Sequence, residues 1–234
     1  MESSKSVFKG HPIRLPKSTS ISSEITRNRY QRISGFYDVM EIFAEKRFRI
    51  WRKQLWSQVN GSTILEVGVG TGKNLPYYPE TAHVTGIDLT PGMLDRAKRK
   101  SRAMGIESRV TLQLGDVQML DYPDNTFDIA LATFVFCSVP DPVLGLREIK
   151  RVVRRGGKVL LLEHLRSPNK TLGTLMDVFN PLIVHMMGAN INRCTVENVR
   201  EAGLEIERIE DLGSGGIFKM VVARVNKTKD ANEL

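Results

Sequence analysis

A chain of 234 residues, 41% of them hydrophobic, is long enough for one domain with a buried core, and it holds no run of 18 apolar residues that would span a membrane. Its two cysteines, Cys137 and Cys194, are too few for a disulfide framework and lack zinc-ligand spacing, so a reducing, cytoplasmic setting and no metal are expected. The net charge of +8 lies mostly in residues 1–57, which carry 12 Lys+Arg against 5 Asp+Glu.

Residues 1–23 are rich in Ser and Lys, include Pro12 and Pro16, and have no apolar core segment. They read as a disordered basic tail and not as a secretory signal. Residues 24–60 read as an N-terminal helical lid. One helix is predicted at about 24–34 with Ile25, Tyr30 and Ile33. A break at Gly35 precedes Tyr37-Asp38, and a second helix follows at about 39–58 with Phe43, Ile50, Trp51 and Leu55 apolar. In the second helix Phe43, Phe48, Trp51 and Trp56 interleave with Arg47, Arg49, Arg52 and Lys53. That pattern suits peripheral contact with anionic lipid, and equally suits packing on the domain.

Residues 61–226 read as the main domain. Strands are predicted at 62–67, 83–88, 109–114, 127–133 and 158–164, with helices at 92–104 and 141–154. Such alternation specifies an α/β fold, a doubly wound parallel sheet with its ligand site at the strands' carboxyl ends. Residues 168–191 depart from the pattern. Leu172, Leu175, Met176, Phe179, Leu182, Ile183, Met186 and Met187 follow helical spacing, interrupted at Pro181. This reads as a helical insertion that either packs on the core or forms an acceptor pocket, methionine being adaptable to irregular apolar ligands. A short helix at 196–202 and strands at 205–212 and 217–224 close the domain, and 227–234 read as a second disordered tail.

The chemistry concentrates in Ile64-Leu65-Glu66-Val67-Gly68-Val69-Gly70-Thr71-Gly72. A buried strand runs into alternate glycines, which let the backbone turn tightly and approach a ligand without Cβ atoms in the way. The dinucleotide fingerprint fails because Lys73 stands where a third glycine belongs. The phosphate loop fails because Val67 and Asn74 replace its Gly and Ser/Thr. Asp88 ends the second strand, where an acid accepts the hydroxyls of a ribose. Glu66 adds negative charge where a pyrophosphate would lie. The site therefore favours a positively charged nucleoside without phosphates.

With Gly115-Asp116-Val117 after the third strand, Phe127 to Thr133 as the fourth, and the run from 152 to 160 as helix end, turn and fifth strand, the chain resembles the class I S-adenosylmethionine-dependent methyltransferases over roughly residues 30–225. The resemblance implies a Rossmann-like, seven-stranded, mostly parallel sheet whose last strand is antiparallel, and S-adenosyl-L-methionine as cofactor. It implies a donor site built from Glu66, Gly68, Gly70, Thr71, Gly72, Asn74, Asp88, Leu89, Asp116, Val117, Thr133 and Phe134. Tyr37-Asp38, Arg49 to Arg52, the run from Tyr122 to Asp128 and Gly215 to Phe218 are similar to quinone-biosynthesis C-methyltransferases and phosphatidylethanolamine N-methyltransferases. Cys137-Ser138-Val139 and Glu163-His164 are similar to thiol methyltransferases. These resemblances make Tyr37 a lid residue and His164 a catalytic candidate. They imply a small lipophilic acceptor and no nucleic acid partner. Cys137 reads as a small buried residue. A cofactor-binding domain without catalysis is the alternative class.

Overall fold

The computed structural model describes residues 21–33, 42–187, 189–213 and 215–227. Tyr37, Asp38 and the segments 1–20 and 228–234 lie outside the described residues. Two helices, α1 (Ile21–Ile33) and α2 (Ile42–Trp56), precede β1 (Thr63–Val67), β2 (His83–Asp88), α3 (Pro91–Ala103), β3 (Val110–Leu114) and β4 (Phe127–Thr133). Then come α4 (Pro142–Val152), β5 (Val153–His164), α5 (Lys170–Met187), α6 (Thr195–Glu201), β6 (Glu205–Leu212) and β7 (Phe218–Arg224). The seven strands form one sheet in the order β3-β2-β1-β4-β5-β7-β6. β1 pairs in parallel with both β2 and β4, while β7 runs antiparallel to β5 and β6. The chain winds outward from β1 through β2 to β3, then returns to β4 on the other side of β1. That reversal opens a crevice at the carboxyl ends of β1 and β4.

The central strands are buried on both faces, which is why they are continuously apolar. One face packs Leu146, Ile149 and Val152 of α4 and Val199 of α6 against Leu65, Val67, Ala130, Ala132 and Leu161. α4 starts sharply because Asp141 accepts the Leu144 N–H at 2.9 Å and Pro142 presets the first helical turn. The other face packs Trp51, Leu55 and Trp56 of α2 against Ile64, Ile129, Leu131, Leu160 and Met220. The aromatic residues Trp51 and Trp56 thus belong to the core, and Ile50 is the apolar residue of α2 left 67% exposed.

Three further expectations are corrected. α1 begins at Ile21, inside the stretch read as tail, because Ser23 is buried and bonded to the domain. β5 begins at Val153 and not at 158. Val153 pairs with Phe127 and the next pair is Lys158 with Ile129, so residues 154–157 bulge between them. Gly157 permits the bulge, since a Cβ there would lie 2.5 Å from the Asp128 carbonyl oxygen. In α5 the periodic apolar stripe faces outward: Leu172, Leu175, Phe179 and Leu182 are 37–54% exposed, while Met176 is buried. Polar side chains hold the helix instead. Arg166 pairs with Asp177 at 2.9 Å, Asn180 accepts the Ile191 N–H at 2.9 Å, and Asn192 donates to Asp177 at 3.1 Å.

Candidate active site

The crevice between β1 and β4 is lined from both sides of the switch point. The loop after β1 turns through Gly68, Gly70 and Gly72, all with positive φ. At Gly68 (φ 67°) a Cβ would lie 2.4 Å from the Val135 side chain, so glycine alone lets the two crevice walls approach. Gly72 (φ 79°) serves packing, because its missing Cβ makes room for Leu75 and for the Ala97 backbone of α3.

Among the described residues three buried acids face the crevice. Asp88 accepts the Gly70 N–H on Oδ2 and the Thr90 N–H on Oδ1, both at 2.8 Å. Its carboxyl is thereby fixed in orientation. Burial raises its pKa above the usual aspartate value, and the two backbone bonds oppose that rise. Glu66 accepts from Asn74 Nδ2 on Oε1 at 2.6 Å and from the Tyr78 hydroxyl on Oε2. Burial raises its pKa too, against the pull of Tyr78, Asn74 and the Arg52 charge. Asn74 is oriented from behind, since it donates to Thr133 Oγ1 at 3.1 Å and accepts from Arg52 Nη1 at 3.1 Å. Asp116 accepts the Gln118 N–H at 2.9 Å, which fixes it at the end of β3.

An aromatic wall closes one side. Phe134 stands in the left-handed region (φ 57°), held there by its N–H on Leu162 O at 2.8 Å. The next two N–H groups, of Val135 and Phe136, both donate to Glu163 Oε1, at 2.9 and 3.2 Å. The Phe134 ring lies 4.6 Å from Phe48 of α2, and the Arg52 guanidinium lies over it at 5.4 Å. Trp51 and Phe218 extend the cluster, with ring centroids 5.1 Å apart. Thr26 and Tyr30 of α1 complete the lining from above.

α1 is tied down by two glutamines. Gln118 donates from Nε2 to Ser23 Oγ at 2.7 Å and to Asp116 Oδ1 at 3.2 Å, and its Oε1 accepts the Asp141 N–H at 2.9 Å. Gln31 Oε1 accepts the Gly92 N–H of α3 at 2.9 Å. One side chain therefore connects the covering helix, an acid of the crevice and the start of α4.

Of the residues expected in the donor site, Glu66, Gly68, Gly70, Thr71, Asn74, Asp88, Leu89, Asp116, Val117, Thr133 and Phe134 line this crevice, and Gly72 does not. His164 does not line it either. Its ring packs 6.4 Å from Phe218, its buried Nδ1 has no hydrogen-bond partner, and burial lowers its pKa. None of the described residues of 168–191 lines the crevice; Asn190 instead bonds to the Cys137 carbonyl oxygen, at 2.8 Å through its N–H, next to the wall residue Ser138. Cys137 is buried, as expected. The site roles of Arg52 and Gln118 are not legible in the sequence, since Arg52 acts on Asn74 and Gln118 on Ser23 and Asp141, partners in other elements.

A doubly wound sheet whose switch point holds a glycine cradle and buried acids is a nucleoside-binding domain. The methyltransferase domain family matches residues 65–161. A phosphatidylethanolamine N-methyltransferase of Cereibacter sphaeroides is 44% identical over 172 residues, which cover 71% of this chain and 83% of that protein. A ubiquinone/menaquinone biosynthesis C-methyltransferase of Bdellovibrio bacteriovorus is 31% identical, covering 72% of this chain and 74% of its own length. Among solved structures, geranyl diphosphate C-methyltransferase from Streptomyces coelicolor superposes with a TM-score of 0.72 at 12% identity, over 88% of this chain and 99% of that one. The chain belongs to the S-adenosylmethionine-dependent methyltransferases. Among the described residues no helix is long and apolar enough to cross a membrane.

Proposed function

We propose that this enzyme transfers the methyl group of S-adenosylmethionine to a small lipophilic acceptor, with a phospholipid amine as the first candidate. The carrying observation is the 44% identity to the phosphatidylethanolamine N-methyltransferase across 83% of that protein. The crevice lining of Tyr30, Met93, Phe134, Val135 and Val139 supports the reading, because such side chains suit a lipophilic acceptor. In this reading the Gly68–Gly70 turn cradles the methionine part of the donor and Glu66 neutralises its ammonium. Asp88 accepts the ribose hydroxyls, and Asp116 and Val117 border the adenine.

The bound donor supplies an already activated sulfonium methyl. An amine acceptor must first give its ammonium proton to solvent. The free amine then attacks the methyl carbon as the S–CH₃ bond breaks and S-adenosylhomocysteine leaves. The protein's work is to hold that nitrogen in line with the bond, and alignment of that kind contributes up to about 7–11 kcal/mol. In this reading Tyr30 and Phe134, which line the crevice, do so.

A second reading, a quinone precursor methylated at carbon, is supported by the 31% identity to the quinone-biosynthesis enzyme. Methyl transfer should be assayed against phosphatidylethanolamine, demethylated quinones, small thiols and RNA. Turnover with phosphatidylethanolamine is expected. Turnover with quinones alone would establish the second reading, while turnover confined to thiols or RNA would overturn both.

A further inference from the structure

A second concavity lies beside the donor crevice and shares Thr71 and Lys73 with it. Lys46 and Arg49 of α2, Lys73, and Arg96, Arg99 and Lys100 of α3 line this basin. The spacing is helical on both sides: 46 and 49 share a face of α2, and 96, 99 and 100 share a face of α3. Two cationic helix faces are thus directed at one space. Glu45 is the one carboxylate among the described lining residues, and it already pairs with Lys73 at 3.3 Å and stands 3.8 Å from Arg52.

The donor accounts for only a small part of this charge. S-adenosylmethionine carries a sulfonium, an ammonium and one carboxylate, is net positive, and has no phosphate, so a single cation such as Lys73 suffices for it. A cationic wall next to its crevice raises the local positive potential and opposes its entry. An anion in the basin would remove that opposition. Guanidinium groups on two helices present paired N–H donors suited to the oxygens of a phosphate.

We propose that the basin is a binding site for a phosphate group, carried by an anionic phospholipid head group or by a soluble phosphorylated compound. The proposal does not depend on which acceptor is methylated. Because the two cavities share Thr71 and Lys73, occupancy of the basin tightens donor binding, and by linkage the donor tightens anion binding by the same factor.

The test compares wild type with Arg49→Ala/Arg99→Ala and the charge-preserving Arg49→Lys/Arg99→Lys. The probes are inorganic phosphate and glycerol 3-phosphate by titration calorimetry, and phosphatidylcholine vesicles with and without phosphatidylglycerol by co-sedimentation. Removing two cations should weaken binding of the phosphate probe by about tenfold or more, at roughly fivefold for each charge. The lysine variant should retain most of the binding. Both substituted residues are exposed, and neither lines the donor crevice, so the affinity for S-adenosylmethionine without any anion should not fall in the alanine variant and, with less positive charge beside the crevice, should rise. Should the alanine variant lose that affinity, Lys46→Glu provides the same comparison. Saturable binding of glycerol 3-phosphate assigns the site to soluble phosphates, and binding only to phosphatidylglycerol vesicles assigns it to a lipid head group. Absence of binding to every probe, or equal binding by wild type and the alanine variant, overturns the proposal.

Discussion

Asp88 and Glu163 show how much a single buried carboxylate determines. Asp88 presents an oriented carboxyl to the crevice only because two backbone N–H groups hold it. Asp88→Ala should weaken S-adenosylmethionine binding by about 1.5–3 kcal/mol in titration calorimetry, the size of hydrogen bonds to a charged group. This residue was legible in sequence because its role follows from its place at a strand end. Glu163 was not, since its partners Val135 and Phe136 belong to another strand's exit loop. Burial pushes its carboxyl up to about 7 from the ordinary 4.5. With the folded value raised, the native state binds the extra proton, so stability falls as pH rises between about 4.5 and 7 and stays level above. The cost is about 3 kcal/mol. His164, with its folded value lowered, acts in the opposite sense and only as pH drops below its ordinary 6.5. Glu163→Gln keeps an acceptor for both N–H groups. Relative to wild type it should gain up to about 3 kcal/mol at pH 8 and nearly nothing at pH 4.5, measured by urea unfolding.

Among the elements, α2 and α5 both display apolar residues at helical spacing, yet they are used in opposite ways. α2 buries Trp51, Leu55 and Trp56 in the core and turns its cations outward or toward the crevices. Trp56→Ala should destabilise the fold by about 3–5 kcal/mol, read from the denaturant midpoint. α5 is held by Asp177 and Asn180 and leaves its leucines in solvent. Periodicity alone detects a face and not its direction. Arg166 and Ile191, which decide the direction, lie outside the helix. The strands were easier to read because burial on both faces writes a continuous apolar run. Even so, the β5 bulge was hidden, since Val153-Arg154-Arg155-Gly156 resembles a helix end. α1 depends on Gln118 for its seat. Gln118→Ala should speed amide hydrogen exchange across residues 21–33 and weaken donor binding by about 1 kcal/mol. Gln118→Glu should be worse, because it faces Asp116 with a second negative charge.

For the whole molecule, the sheet order brings Glu66, Asp88 and Asp116 to one crevice at the strands' carboxyl ends, where Thr26 and Tyr30 of α1 and Arg52 of α2 complete the lining. Truncation should read this arrangement directly. Removing residues 1–20 should leave donor affinity unchanged. Removal through residue 33 takes away Thr26 and Tyr30 and should lower affinity at least several-fold, again by calorimetry. The doubly wound architecture was legible from the alternation of strands and helices. The cover was legible only as two helices, because what seats it is a pair of glutamine side chains reaching between elements. Those two seats also set a tempo. Release of the spent donor is expected to quicken when Ser23 leaves Gln118 and Gln31 leaves Gly92, contacts worth about 1 kcal/mol each. Rapid mixing of enzyme with acceptor and donor should therefore give an initial burst of methylated product followed by a slower steady rate, and Gln118→Ala should raise the slow phase while leaving the burst in place.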